Sequence, residues 1–206
     1  MTKIKICGLN DAAGFDAAVA VGAEYIGLNF FPPSPRYVAP ADAAALSARH
    51  PGGPLRVGLF VKPEDAEIAA VLAALQLDML QLYVSAERAR DIRARFGLPV
   101  WRAVGVTAAA DLPDDPEGAD GLLIEPKAPA DASRPGGNAI SMDWSLLDGW
   151  RAPCDWMLAG GLTPGNVAAA IRATGAPCVD VASGVERARG VKDPALIAAF
   201  AAAARA

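Results

Sequence analysis

The feature that most constrains this chain is a repeat of short apolar runs, most of them followed by a longer segment rich in alanine. The runs recur about every 25 residues, and the segments between them carry apolar residues at helical spacing. Short apolar runs predict buried strands, so the repeating unit is a strand followed by a helix. The eight predicted strands cover residues 4–7, 25–30, 55–61, 79–82, 100–104, 121–124, 157–159 and 178–181.

The segments between the strands predict six helices. These cover residues 11–21, 40–49, 63–75, 85–96, 163–173 and 193–205. Asp11, Thr163 and Asp193 can each cap a first turn, because their side chains accept a hydrogen bond from a free amide. The segment 107–118 suits a loop because it contains several Asp and Pro residues, and 144–147 makes only a short helix.

Alternating strands and helices indicate a parallel sheet covered by helices. Eight such units favour closure of the sheet, so the predicted fold is a (βα)8 barrel that residues 1–206 form as one domain. A doubly wound open sheet is the alternative. An apolar content of 53% supplies enough material for a large core.

Charge and cysteine usage narrow the possible partners. A net charge of -4 and a pI near 5.0 argue against nucleic acid and anionic membranes, which are bound mainly through Lys and Arg. Cys7, Cys154 and Cys178 are spaced too widely for a zinc knuckle or a redox pair, so we expect reduced thiols. No signal peptide or membrane span is evident. We therefore expect a cytoplasmic protein that acts on a small molecule.

In a (βα)8 barrel the active site lies at the carboxyl ends of the strands. His50, Asp120 and Cys154 precede strands, which places them at the opposite end of the predicted barrel. The candidate site residues end strands or follow them: Cys7, Asn29, Arg36, Gln81, Glu125, Lys127, Gly160, Gly161, Asp180, Ser183 and Gly184.

Two glycine-containing segments follow the seventh and eighth strands. Residues 159–164 read Ala-Gly-Gly-Leu-Thr-Pro, and residues 181–186 read Val-Ala-Ser-Gly-Val-Glu. Loops at these positions often bind phosphate through backbone amides, so Gly160, Gly161, Ser183 and Gly184 are predicted to bind it. Tight turns between strand and helix are the alternative explanation of these glycines.

Cys7 and Glu125 end the first and sixth strands, which puts a thiol and a carboxyl at the predicted mouth. Such a pair can act as base and acid on adjacent sugar carbons. A buried structural thiol and a solvated carboxylate are the alternatives. A thiol base needs a nearby cation or dipole, and Lys5 is expected to lie too deep to supply it. Arg36 could bind a carboxylate or form a surface ion pair.

Several segments together resemble the phosphoribosylanthranilate isomerase family, nearly from end to end. Their order and spacing are far more specific than any single glycine loop. The segments are Lys5-Ile6-Cys7-Gly8, Ser34-Pro35-Arg36-Tyr37, residues 56–61, Gln81-Leu82, Gly136-Gly137, Asp143-Trp144, residues 159–167 and residues 180–186.

The resemblance implies an Amadori rearrangement of N-(5'-phosphoribosyl)anthranilate to the 1-deoxyribulose 5-phosphate product, without metal or cofactor. It implies that Cys7 removes the proton from C2' and that the carboxyl at Glu125 protonates the ring oxygen. Arg36 would contact the substrate carboxylate, and we add Gln81 and Asp180 as substrate-binding candidates.

Some positions depart from the family pattern. Glu125 replaces the usual aspartate, Tyr83-Val84 replaces His-Gly, and Ala182 replaces a serine. These changes leave two alternatives open: another phosphosugar isomerase or epimerase, and a non-catalytic barrel that binds a phosphorylated metabolite. The loop 127–139 is predicted to cover the substrate, and the chain is expected to be a monomer or a homodimer.

Overall fold

The computed structural model describes residues 1–129 and 142–206. Eight parallel strands close into a barrel in chain order, because β1 pairs with both β2 and β8. The strands are β1 (Lys3–Cys7), β2 (Tyr25–Asn29), β3 (Leu55–Val61), β4 (Met79–Tyr83), β5 (Val100–Val106), β6 (Gly121–Pro126), β7 (Asp155–Leu158) and β8 (Cys178–Val181). The predicted barrel is confirmed, and the doubly wound alternative is wrong.

Helices lie outside the barrel after most strands. They are α1 (Ala12–Ala20), α2 (Pro40–Ala48), α3 (Asp65–Ala74), α4 (Ala86–Phe96), α5 (Val167–Thr174) and α6 (Pro194–Ala204). The segment predicted as a loop carries a 3-10 turn at Ala109–Asp111, and the predicted short helix is the 3-10 helix Trp144–Leu147. Within the described ranges, no helix is both long and apolar enough to cross a membrane.

Two of the three predicted helix caps are confirmed. Asp11 accepts a hydrogen bond in the first turn of α1, and Asp193 accepts from two amides of α6. The prediction for Thr163 is wrong, since α5 begins at Val167. The Thr163 amide instead donates to Asn166 Oδ1 at 2.7 Å, which keeps this segment in a loop. The loop after β7 is therefore longer than the sequence suggested.

The apolar core has two parts, one on each side of the barrel wall. The larger part lies between the barrel and the helices, and includes Phe15 from α1 and Phe200 from α6. The smaller part fills the barrel interior: Tyr25, Val57, Met79, Trp101, Leu123, Met157, Ala159 and Cys178. Each large side chain buried in this way contributes about 1.5 to 3 kcal/mol. Most of the inner residues lie near the amino ends of their strands, so the carboxyl end remains for polar side chains.

A small hairpin follows β8 at the mouth of the barrel. It consists of β9 (Glu186–Ala188) and β10 (Val191–Lys192), which pair antiparallel. The pairing sets Lys192 opposite Glu186, so two side chains of opposite charge lie next to each other. The hairpin thereby adds a buried charged pair to the rim where β8 ends.

Candidate active site

The barrel opens at the carboxyl ends of its strands into a pocket of about 670 Å³, counted with its opening to solvent. Six of the predicted site side chains line it and are buried: Cys7, Asn29, Arg36, Gln81, Glu125 and Asp180. Gly160, Gly161 and Ser183 also line the pocket. The predicted residues therefore come together from β1, β2, β4, β6, β8 and the loops after β2, β7 and β8.

Lys5 forms a buried ion pair beneath the pocket. Its Nζ donates to Asp180 Oδ1 at 2.7 Å, and the Lys5 side chain has no exposed surface. The strand register pairs Lys5 directly with Asp180, which holds the two side chains together. Burial disfavours the ammonium, but Asp180 and Cys7 outweigh it and raise the Lys5 pKa. Lys5 is therefore charged across the physiological pH range.

The expectation that Lys5 lies too deep to act on Cys7 is wrong. The charge of Lys5 acts on the Cys7 thiol and favours its thiolate. Burial is the largest influence on Cys7 and raises its pKa, Lys5 and Lys192 lower it, and Asp180 raises it. The net pKa of Cys7 lies above its ordinary value. Cys7 is thus a protonated thiol at neutral pH, with two cations that favour its thiolate.

Glu125 lies near the end of β6 and is 5% exposed. Burial raises its pKa to about 8, the nearby Tyr83 hydroxyl opposes that rise, and Asp180 adds to it. At neutral pH the Glu125 carboxyl therefore holds its proton. A protonated carboxyl in a buried pocket is a general acid ready to donate.

Gln81 and Tyr83 carry polar groups from β4 into the same pocket. Gln81 Nε2 lies 3.5 Å from the Tyr83 hydroxyl oxygen, and both residues line the pocket together with Glu125. Gln81 Oε1 is buried and has no hydrogen-bond partner among residues 1–129 and 142–206. A buried acceptor without a partner costs free energy, which a ligand donor would recover.

Arg36 is held in place by the hairpin after β8. Its Nε and Nη2 donate to the two carboxylate oxygens of Glu186, at 2.6 and 3.0 Å. Lys192 Nζ also donates to Glu186 Oε1, at 2.9 Å. Burial would raise the pKa of Glu186, but Arg36 and Lys192 hold it at about 2. The ion pair proposed for Arg36 thus exists, but it is buried and lies in the pocket wall.

The loops after β7 and β8 meet beside the pocket. Gly160 and Gly161 both have positive φ, at 90° and 65°, a backbone conformation that side chains rarely allow. Asn166 Nδ2 donates to the Gly161 carbonyl at 3.0 Å and fixes this loop. Gly184 lies behind the pocket wall, where a Cβ would collide with the Leu162 carbonyl oxygen. Its role is to let the two loops approach each other.

Other candidates lie elsewhere. His50 contacts Asp16 at 2.7 Å and stacks on Phe15, outside the barrel, as its position before β3 indicated. Most of the predicted covering loop and the Gly136-Gly137 segment lie outside the described residues. In the part of the chain that the structure describes, no group of three His, Cys, Asp or Glu could hold a metal ion.

Sequence reasoning missed four residues of this site: Lys5, Tyr83, Glu186 and Lys192. Lys5 had a visible signal, because a lysine between Ile4 and Ile6 in a buried strand requires a partner. Glu186 ends the segment 181–186, whose glycine predicted a phosphate loop and whose charge indicated no partner. Lys192 lies in a hairpin that no sequence pattern indicated, so its burial could not be predicted.

A thiol, a protonated carboxyl and buried cations at the carboxyl ends of β1 and β6 define a (βα)8-barrel enzyme of general acid/base chemistry. The family model for N-(5'-phosphoribosyl)anthranilate (PRA) isomerase matches residues 4–203. The chain therefore belongs to the N-(5'-phosphoribosyl)anthranilate isomerase family.

Individual relatives match this chain over its full length. The isomerase of Acidiphilium cryptum (strain JF-5) is 56% identical over 100% of both chains. The crystal structure of the Thermotoga maritima isomerase is 35% identical with a TM-score of 0.83, and covers 100% of this chain and 99% of that one. A further isomerase structure holds reduced 1-(o-carboxyphenylamino)-1-deoxyribulose 5-phosphate; it is 33% identical with a TM-score of 0.80 and the same coverage. These matches favour the isomerase over the two alternative functions.

Proposed function

We propose that Cys7 and Glu125 are the base and the acid of an N-(5'-phosphoribosyl)anthranilate isomerase. The observation that carries this proposal is that a buried thiol and a carboxyl with a pKa of about 8 line the same pocket. One group must take a proton from carbon while the other gives a proton to oxygen. The carboxyl that holds its proton at neutral pH is suited to the second task.

The first step opens the sugar ring. Glu125 donates its proton to the ring oxygen, and the bond between that oxygen and C1' breaks. The lone pair of the anilino nitrogen forms a C1'=N double bond as the ring oxygen leaves. The positive charge that results on nitrogen makes the proton at C2' acidic.

The second step moves the double bond. The Cys7 thiolate removes the proton from C2', and the released electron pair forms a C1'=C2' bond while the C=N pair returns to nitrogen. The enol then loses its hydroxyl proton and C1' gains one, which gives a ketone at C2'. No electron acceptor is needed, because C1' is reduced as C2' is oxidised.

The buried cations supply the activation that Cys7 requires. Lys5 and Lys192 both favour the thiolate, against burial. Because the pKa of Cys7 is still above its ordinary value, the thiolate is a minor species at neutral pH. We infer that the enzyme works on the fraction of molecules in which Cys7 is ionised while Glu125 is protonated.

The remaining site residues are suited to hold the substrate. We place the phosphate at Gly160, Gly161 and Ser183, whose backbone lines one side of the pocket. Arg36 uses Nε and Nη2 for Glu186, which leaves Nη1 for the anthranilate carboxylate. Gln81 Oε1 would accept a hydrogen bond from the substrate, while Asp180 holds Lys5 against Cys7.

The test follows the loss of anthranilate fluorescence from freshly made phosphoribosylanthranilate. Cys7→Ser and Glu125→Gln should each lower kcat by about a hundredfold or more, the usual contribution of a general acid or base. Cys178→Ser is the matched control, since it changes a buried thiol of the inner core that does not line the pocket. Near-parent turnover by either site variant would refute its assigned role.

We also propose a cytoplasmic monomer. Three free cysteines suit a reducing compartment. The exposed large apolar side chains of the described residues are Met1, Tyr37 and Leu55, and Tyr37 and Leu55 lie at opposite ends of the barrel. Tyr37 and Leu55 therefore share no patch on which a second copy could pack. Sedimentation equilibrium at micromolar concentration should give the mass of one chain, and a dimer mass would overturn this.

A further inference from the structure

The side chain of Arg36 is restrained at three points. Its guanidinium donates through Nε and Nη2 to the two oxygens of Glu186, at 2.6 and 3.0 Å. Its alkyl stem lies against Gly8, where an added Cβ would come within 2.5 Å of Arg36 Cδ. Its backbone amide donates to Ser34 Oγ at 3.1 Å. The head, the stem and the backbone of this arginine therefore each have a fixed place.

The Glu186 carboxylate is itself held by four donors, two on each oxygen. Oε1 accepts from Arg36 Nε and from Lys192 Nζ, and Oε2 accepts from Arg36 Nη2 and from the Gly190 amide at 3.0 Å. Gly190 lies in the turn between β9 and β10, where an added Cβ would collide with the Pro35 carbonyl oxygen. The hairpin thus packs directly on the chain before Arg36. It fixes Glu186, and Glu186 fixes the guanidinium.

The cluster of Arg36, Glu186 and Lys192 contains two cations and one carboxylate. Their side chains are at most 5% exposed. Of the carboxylates that the structure describes, only Glu186 is paired with either cation. A buried charge without a partner is costly, and Arg36 is the member of the cluster that lines the pocket. An anionic group of a ligand would complete the cluster at Arg36.

The contact with Glu186 decides which part of the guanidinium is left for a ligand. A guanidinium has five N–H groups. Glu186 takes the Nε hydrogen and one hydrogen of Nη2, so both hydrogens of Nη1 and the second hydrogen of Nη2 remain. One hydrogen from each of these two nitrogens points away from the arginine stem, in the parallel arrangement that binds both oxygens of a carboxylate. The terminal edge of Arg36 is therefore suited to a second carboxylate.

We propose that Glu186 is a positioning residue for Arg36. By holding the Nε side of the guanidinium, it presents the terminal edge to the carboxylate on the aromatic ring of the substrate, and so gives the enzyme its preference for a carboxylated ring. Arg36 lines the pocket and Glu186 lies behind it, so Glu186 acts through Arg36. The inference rests on the proposed function, in which Arg36 binds the anthranilate carboxylate.

Positioning and charge predict opposite effects when Glu186 is neutralised. Glu186→Gln places an amide N–H group against a donor that the carboxylate now accepts, so the guanidinium loses its fixed orientation. An arginine that must be ordered on binding lowers the affinity for the carboxylate. If Glu186 only competed with the substrate for the charge of Arg36, its neutralisation would raise that affinity. The sign of the change therefore tests the proposal.

The experiment compares two ligands that differ in one group. They are reduced 1-(o-carboxyphenylamino)-1-deoxyribulose 5-phosphate and the same compound without its carboxyl group. Isothermal titration calorimetry gives both Kd values, on variants shown by circular dichroism to be folded. The ratio of the two Kd values, the carboxylate preference, involves no turnover and so does not depend on the roles of Cys7 and Glu125.

In Glu186→Gln the carboxylate preference should fall about tenfold, because the freed arginine must be ordered by the ligand. The Kd of the ligand without a carboxyl group should change less than about threefold, since that ligand does not use the terminal edge of Arg36. An unchanged or increased preference would overturn the proposal.

Two variants of the same cluster separate position from charge. Glu186→Asp keeps the charge but is one methylene shorter, so it does not reach both Nε and Nη2, and the preference should fall about threefold or more. It also tests the proposal if Glu186→Gln does not fold. Lys192→Met is the matched control, because it removes a cation from the same carboxylate and leaves both bonds to Arg36. A preference equal to the parent's in Glu186→Asp, or an equal loss in Lys192→Met, would contradict positioning.

Arg36→Met separates this inference from the proposed function. It should abolish the carboxylate preference, and adding Glu186→Gln should then change nothing further, because Glu186 acts through Arg36. If Arg36→Met keeps the preference, Arg36 does not bind the carboxylate and that part of the proposed function is wrong. If Arg36→Met abolishes the preference and Glu186→Gln does not reduce it, Arg36 binds the carboxylate and the positioning role of Glu186 is wrong.

Discussion

Replacing Glu186 with glutamine should lower the free energy of unfolding by about 3 kcal/mol at pH 7. The change keeps the size and shape of the side chain and removes one negative charge. In the folded protein that charge accepts two hydrogen bonds from Arg36 and one from Lys192, with the Glu186 side chain 4% exposed. Glutamine would leave both cations buried beside a neutral group.

Two independent arguments give this magnitude. A carboxyl pKa held at about 2 in place of 4.5 corresponds to roughly 3 kcal/mol of preferential stabilisation of the carboxylate. Removing one partner from a buried ion pair typically costs about 3 to 5 kcal/mol, because the other charge remains buried. In Glu186→Gln the side-chain amide oxygen can still accept one hydrogen bond from Arg36. We therefore expect a loss at the lower end of that range.

The stabilisation by the Glu186 carboxylate depends on pH with a definite sign. The pKa of Glu186 is lower in the folded protein than in the unfolded chain, so its stabilisation is complete above pH 4.5. It is lost as the pH falls from 4.5 towards 2, where the folded state also takes up the proton. The difference between the parent and Glu186→Gln should therefore be constant from pH 5 to 7 and shrink below pH 4.5.

Urea unfolding followed by tryptophan fluorescence at several pH values measures this difference. The control is Asp16→Asn: Asp16 has a pKa of about 2 as well, but its partner Arg49 is exposed to solvent. Because water and salt screen an exposed pair, this variant should be destabilised far less than Glu186→Gln. Equal effects of the two variants, or less than about 1 kcal/mol for Glu186→Gln at pH 7, would refute the reasoning.

Three further predictions follow from the same pocket. Gly184→Ala should raise KM about tenfold or more with kcat less affected, because its Cβ would push the Leu162 carbonyl and separate the phosphate loops. An unchanged KM in steady-state kinetics would contradict this. Lys5→Met should raise the pKa of Cys7, since the cation that most lowers this pKa is lost. The pH dependence of thiol alkylation measures it, and an unchanged midpoint would contradict the prediction. In the parent, kcat/KM should still be rising at pH 7 and level off near pH 8, where Glu125 titrates; a plateau from pH 6 would contradict the assignment.

The barrel could be predicted because its information is local. Each strand is a short apolar run and most runs are followed by an Ala-rich segment, so eight repeats could be counted without knowing any long-range contact. The predicted barrel also gave the positions of the site residues, since the carboxyl ends of parallel strands meet at one end of a barrel. Cys7 from β1 and Glu125 from β6 were placed in one pocket by this rule alone.

The charge pairs could not be predicted because they join distant parts of the chain. Lys5 and Asp180 are 175 positions apart, and they meet only because closure of the barrel sets β1 beside β8 in one register. Arg36 and Glu186 are 150 positions apart and depend on a hairpin that no apolar pattern revealed. The cap predicted at Thr163 is wrong for a different reason. The Thr163 amide donates to Asn166 Oδ1, which keeps the segment in a loop, and capping propensity does not show this contact.

The buried charges also explain how an acidic protein can bind an anionic substrate. The chain has a net charge of -4, and the substrate of this family carries a phosphate and a carboxylate. At the mouth, however, the cations Lys5, Arg36 and Lys192 outnumber the carboxylates Asp180 and Glu186 by one at neutral pH, since Glu125 holds its proton. Field lines from this excess are confined by the apolar barrel wall, so the attraction acts at the pocket and is little screened by salt. Protonation of Glu125 therefore serves binding as well as catalysis: above about pH 8 its ionisation removes the positive excess, and KM should rise.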